Sequence, residues 1–160
     1  MGTQEPARRD VNQPDSAPAV GRTAETSGGP AAKLGLAEGQ LVQELGFDED
    51  IDFAFRDGLE DDLGTELLTE DDQEPVDAVV LWWRAADGDV EDLVDALLDA
   101  QTSLDSSGVL WLMTPRNGRE GHVQPADIAE AAPTAGLHVT TSAGVSQDWT
   151  ASRLVGKRNR

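Results

Sequence analysis

The sequence predicts an α/β domain: a mostly parallel sheet with helices on both faces, closed by an antiparallel strand pair. Two observations carry that expectation. Ala78-Val79-Val80-Leu81-Trp82-Trp83 and Val109-Leu110-Trp111-Leu112-Met113 are apolar runs without alternation, the pattern of strands covered on both faces. Between them Val90, Leu93, Val94, Leu97, Leu98, Gln101 and Leu104 recur at three- and four-residue steps, as on the inner stripe of a helix. A strand, helix and strand in that order form a right-handed parallel crossover.

The remaining elements follow in chain order. Met1 to Ala32 holds four prolines, four glycines and almost no large apolar side chains. Such a segment cannot bury enough surface to offset its ordering entropy, so residues 1–32 read as a disordered tail and 33–156 as the domain. Leu41 to Leu45 reads as a short strand, and Gly46 turns the chain. Asp48 or Asp50 then caps a helix on which Ile51, Phe55, Leu59 and Leu63 fall at four-residue steps. Gly58 weakens that helix by roughly 1 kcal/mol relative to alanine. Gly64 ends it, and Thr65-Glu66-Leu67-Leu68 reads as a short strand. Asp89 is placed to cap the central helix, which should run to Ser106-Ser107-Gly108. After Pro115 a polar loop, Arg116 to His122, leads to a helix opened by Pro125 and ended or kinked by Pro133. Leu137 to Ser142 and Trp149 to Val155 read as closing strands around a Gly144 loop, and residues 157–160 as a basic tail.

Charge narrows the possible partners. The formal net charge is −19, and between Glu44 and Asp105 there are 22 acidic residues against Arg56 and Arg84. Nucleic acid and anionic membrane surfaces are therefore poor partners for this face. Cysteine is absent, which removes disulfides and thiolate chemistry. No apolar run long enough to span a membrane and no secretion-type start is visible, so the expected location is cytoplasmic.

Some of these segments resemble a known fold family. Leu34-Gly35-Leu36 with Gly39, the turn Leu104-Asp105-Ser106-Ser107-Gly108-Val109-Leu110 and the final strand pair resemble class I methyltransferase-like Rossmann domains. That resemblance implies a three-layer Rossmann-like sheet of reduced topology. From Leu34 to Val155 the chain is also similar to a small actinobacterial family of unknown function. The shared features are the acidic first helix and a Leu-Thr-Pro-Lys/Arg loop, here Met113-Thr114-Pro115-Arg116. The methyltransferase pattern fails where S-adenosylmethionine (SAM) would sit. The turn Leu45-Gly46-Phe47-Asp48-Glu49-Asp50 has one glycine, a bulky phenylalanine and three carboxylates that would repel the carboxylate of SAM. The segment Thr69 to Val76 is too short for a further strand, and Trp83-Arg84-Ala85-Ala86 lacks the Asp/Asn-Pro-Pro-Tyr motif.

No catalytic constellation is present. His122 and His138 are not paired with helix-spaced acids, no Gly-x-Ser-x-Gly elbow occurs, and Asp48 to Asp52 lacks a calcium-hand pattern. No metal and no cofactor is expected. A ligand at the carboxyl edge of the sheet would meet Trp83, Arg84, Thr114, Arg116, Arg119 and Asp148; the plainer reading has Arg116 and Arg119 paired with the protein's own acid. Of the four tryptophans, Trp82, Trp83 and Trp111 read as core, with Trp82 and Trp83 on opposite faces, and Trp149 as the one reaching an edge. The leading expectation is a non-enzymatic regulatory or interaction module whose residues Asp50, Asp57, Glu60, Asp61 and Asp62 meet a basic protein surface. The alternatives are a small-molecule or nucleotide-type binding protein or methyltransferase-like enzyme using the carboxyl edge, and an acidic decoy.

Overall fold

The computed structural model describes residues 29–156. Most of the expected N-terminal tail, and the basic tail at 157–160, lie outside the described residues. A short helix α1 (Pro30–Lys33) precedes β1 (Val42–Leu45), α2 (Phe53–Leu63) and β2 (Val76–Trp82). There follow α3 (Val90–Ala100), β3 (Leu104–Pro115), α4 (Pro125–Thr134), β4 (Leu137–Gly144) and β5 (Trp149–Gly156). The five strands form one sheet in the order β1-β2-β3-β5-β4. β1, β2 and β3 run parallel, and β5 is antiparallel to both β3 and β4.

Strand alternation sends the central residues into two separate cores. Ala78, Val80 and Trp82 of β2 join Phe55, Leu59 and Leu63 of α2 on one face. Val79, Leu81 and Trp83 join Leu93 and Leu97 of α3 and Ile128 and Ala131 of α4 on the other. The result is the expected three-layer α/β sheet, mostly parallel with an antiparallel close.

Several local expectations are corrected by tertiary contacts. The cap of α2 is Asp52, whose carboxylate accepts from Phe55 N at 2.9 Å, and neither Asp48 nor Asp50 serves it. The central helix stops at Ala100, because Gln101 turns its side-chain amide onto the carbonyls of Leu97 and Ala135. Leu104 already pairs with Val76, so β3 starts well before Val109. Between the pairs Val76–Leu104 and Ala78–Val109, β2 advances two residues and β3 five. Gly108 therefore serves this bulge, where an added Cβ would come within 2.8 Å of the Asp77 carbonyl oxygen. The segment Thr65 to Leu68 contributes a single parallel bridge, Leu68 to Gln43, beside β1. Pro133 lies in the last turn of α4, which ends at Thr134, before Gly136 as expected.

Two expectations concern packing. The helix Pro30–Lys33 begins within the stretch read as tail; Ala31 is buried, and Ala31 N donates to Asp62 of α2 at 3.1 Å. The ordered fold thus includes residues 30–32. Trp149 is buried, with its ring 4.8 Å from that of Trp82 in an edge-to-face contact, so it belongs to the core. The cap at Asp89 stands as expected: Asp89 accepts from Asp92 N, and Asp92 returns the bond to Asp89 N. Gly64 ends α2 in the left-handed conformation at φ 77°.

Candidate functional site

The carboxyl ends of β1 and β2 meet at a turn held by two arginine–carboxylate pairs. The first is buried. Glu44 of β1 keeps only 5% of its side chain exposed and receives Arg56 Nε at 2.8 and 3.0 Å and Trp82 Nε1 at 2.9 Å. A carboxylate so deep in the sheet is tolerated only because these donors replace its water. Burial opposes the charge on Arg56, but the hydrogen bond and charge of Glu44 outweigh it and raise its pKa.

The second pair closes the turn itself. Arg84 Nη1 donates to the Gly46 carbonyl at 2.7 Å and to the Trp82 carbonyl at 3.3 Å. Its Nε donates to Asp50 Oδ2 at 3.0 Å while Nη2 reaches the other carboxylate oxygen. The guanidinium also lies 5.5 Å over the Trp149 ring. The Asp50 carboxyl is consequently held below its ordinary value of 3.8, chiefly by the Arg84 hydrogen bond, with burial opposing. A Cβ on Gly46 would overlap the Trp82 carbonyl oxygen, so this glycine allows the two strands to approach.

Around this lock is an open cleft of about 570 Å³. Asp48, Asp50, Asp87, Glu120 and Asp148 line it against Arg84 and Arg119, five carboxylates to two guanidiniums. Both guanidiniums are engaged, Arg84 with Asp50 and Arg119 with Asp148 at 2.6 Å, the latter being the internal pairing expected for Arg119. The cleft therefore suits a cation better than an anion.

The residues expected at one ligand edge are distributed among three places. Arg84, Arg119 and Asp148 share the acidic cleft, together with Asp50. Trp83 faces the opposite layer, beside Val90 and Leu93. Thr114 lies in a third cavity under α4. Arg116 donates its backbone N–H to the Asp148 carbonyl, and its guanidinium lies where a side chain at Gly144 would be. Along α2, Asp57 and Asp61 are exposed, while Glu60 accepts from Leu67 N and Asp62 from Ala31 N. His122 Nδ1 meets the Pro115 carbonyl at 2.9 Å, and His138 is exposed on β4. Among the described residues no cluster of His, Asp and Glu could hold a metal ion.

Sequence reading passed over the Phe47–Phe53 pair. Both rings are about half exposed, 52% and 46%, and pack edge-to-face at 5.8 Å, with Arg56 over Phe47. The available signal was two aromatics outside the four-residue stripe of α2. Nor does the sequence mark Glu44, inside the short strand Leu41 to Leu45, as the partner of Arg56.

Residues 31–158 match a family described as Protein of unknown function (DUF3052). Uncharacterized protein Rv2239c of Mycobacterium tuberculosis is 52% identical over 130 residues, 81% of this chain and 80% of that protein. Uncharacterized protein Mb2263c of Mycobacterium bovis matches equally. Among solved structures, a TehB-like SAM-dependent methyltransferase from Corynebacterium glutamicum superposes with a TM-score of 0.53 at 13% identity. That match covers 84% of this chain and 90% of the other. The CcbJ methyltransferase from Streptomyces caelestis gives 0.53 at 11% identity, over 79% and 87%. Identities this low establish the methyltransferase-like fold and nothing of its chemistry.

Proposed function

The chain belongs to the DUF3052 family, and on that premise we propose that it is a non-enzymatic interaction or regulatory module whose acidic face receives a basic protein partner. The observation that carries this reading is the exposed Phe47–Phe53 pair in its acidic surroundings. Asp48, Glu49, Asp50 and Asp52 lie between the two rings in sequence, and Asp57 lies one helical turn beyond Phe53. Two aromatic rings left in solvent cost free energy that burial against a partner recovers. An aromatic centre with a charged rim is the arrangement in which a few side chains dominate binding while charge steers approach. The carboxyl edge, by contrast, has its glycine turn closed by Arg84, and Arg84 and Arg119 are paired with Asp50 and Asp148.

The test uses the partner that the folded chain retains from cell extract, measured quantitatively rather than merely identified. Phe47→Ala with Phe53→Ala should weaken that complex by about 2 kcal/mol or more. Asp57→Asn with Asp61→Asn should slow association, and binding should fall as salt rises through about 0.15 M, where the screening length is roughly 8 Å. Asp62 is left unaltered because it anchors α1. A partner indifferent to the aromatic pair and to salt defeats the proposal.

A second reading, a ligand-binding protein or methyltransferase-like enzyme, draws support from the cleft of about 570 Å³ at the sheet's carboxyl edge. Calorimetric titration with SAM separates the two. The interaction reading expects no micromolar binding, because the lining carboxylates repel the methionine carboxylate; micromolar binding would favour the enzyme.

A further inference from the structure

The third cavity, which Thr114 lines, lies between α4 and the antiparallel strands. Its volume is about 440 Å³, within the range of about 300–1,000 Å³ common for small-molecule sites. The strand register builds it. Leu110, Leu112 and Thr114 share one face of β3 and pair with Leu154, Ser152 and Thr150 of β5. At the amino end this face is covered by Ile128, Ala131 and Ala132 of α4. Toward the carboxyl end, aliphatic side chains give way to hydroxyls, with Ser142 of β4 completing the floor. Val123, Ile128 and Val139 form the walls, and no Asp, Glu, Lys or Arg lines the space. In a chain of net charge −19 this is an uncharged chamber.

The hydroxyls are not equally satisfied. Ser142 and Ser152 share a bond at 3.0 Å. Thr114 is only 3% exposed as a residue and lines the cavity; among the described residues its hydroxyl makes no hydrogen bond and stays open to the space, whereas the fully buried hydroxyl without a partner is that of Ser146. A hydroxyl in that position is satisfied only by what fills the space, since a missing bond costs more than a made one contributes. His122 also lines the space. The Pro115 carbonyl can only accept, so His122 Nδ1 is the donor of that bond.

We infer that this cavity is a binding site for a neutral, largely apolar small molecule carrying a single hydroxyl or carbonyl group, which bonds the Thr114 hydroxyl. The apolar walls supply affinity, the hydroxyl floor fixes orientation, and the absence of any counter-charge rejects ions. The site is separate from the acidic cleft, which opens beside Arg84 on the carboxyl edge.

The test titrates the full chain with 2-naphthol, with naphthalene-2-carboxylate and with the corresponding naphthylmethylammonium ion, following backbone amides by NMR. Saturable shifts from 2-naphthol are expected at Thr114, Ile128, Ser142 and Ser152, in the millimolar range or tighter, with both ions binding more weakly. Thr114→Val should weaken 2-naphthol binding roughly 2- to 12-fold, the value of one hydrogen bond, while the thermal midpoint stays level or rises. Ala129→Trp, at an exposed position of α4 that lines the cavity, should abolish binding by filling the space while the chain stays folded. The inference is overturned by any of three results: no saturable shift, as for a cavity holding only water; shifts centred on the acidic cleft; or equal binding of the carboxylate.

Discussion

At the scale of single residues, the two arginines of the acidic segment have unequal duties. Arg56 satisfies a buried carboxylate, so Arg56→Ala leaves Glu44 with Trp82 as its remaining donor. Breaking a fully buried pair costs about 3–5 kcal/mol. Arg56 keeps 23% of its side chain exposed, so about 2–3 kcal/mol is expected in urea unfolding. Glu44→Gln should cost less, because the amide oxygen still accepts from Trp82 and Arg56 can turn toward water. Arg84 instead holds an exposed partner, and its effect depends on pH. The Asp50 pKa is depressed in the folded state, so its contribution is fully present above the ordinary value of 3.8 and disappears as pH falls through the lowered value. Asp50→Asn should therefore destabilise at pH 7 and make no difference in strong acid. Because Asp50 is 53% exposed, solvent screening keeps the effect below about 1 kcal/mol. A difference that persists unchanged in acid would assign the role to shape rather than charge.

At the scale of elements, the contact between α1 and α2 inverts a rule of helix propensity. Gly58 sits in mid-helix, where alanine is worth about 1 kcal/mol more. An added Cβ would stand 2.9 Å from Pro30 Cγ, so Gly58→Ala should bring no gain in the native chain. Combined with Pro30→Ala, which removes that ring atom, it should recover the propensity gain, and a double-mutant cycle by thermal unfolding measures the coupling. Additive effects would mean that α1 moves aside without cost. The same element shows what a sequence can disclose. β2, β3 and the cap of α3 were legible because continuous apolar runs and the Asp89–Asp92 spacing are local signals. The cap of α2 was not, because Asp48, Asp50 and Asp52 are equivalent caps until Arg84, distant in sequence, engages Asp50. Trp149 was misjudged beside polar Asp148, since its burial depends on Trp82 across the sheet. Of the acidic cleft, Arg84, Arg119 and Asp148 were anticipated; the chamber under α4 was not, because serine and threonine on closing strands read as solvent-facing.

At the scale of the whole molecule, the net charge of −19 works against compactness. Raising salt from about 0.01 to 0.15 M shortens the screening length from roughly 30 to 8 Å. The thermal midpoint should rise over that interval, whereas a fall would mean that the internal ion pairs outweigh self-repulsion. The sheet adds a reason why such charge is useful. β4 is its last strand; seven of its eight residues are exposed, none is Asp, Glu, Lys or Arg, and nothing among the described residues pairs with its outer side. An open strand edge of this kind is a template on which another chain can add, and flanking charge is a common protection. Here repulsion between whole molecules supplies it, so the chain behaves as a charge-stabilised colloid. Near the isoelectric point of about 4.1 that barrier collapses, and light scattering should register self-association beginning at the β4 edge, which Thr141→Lys should suppress.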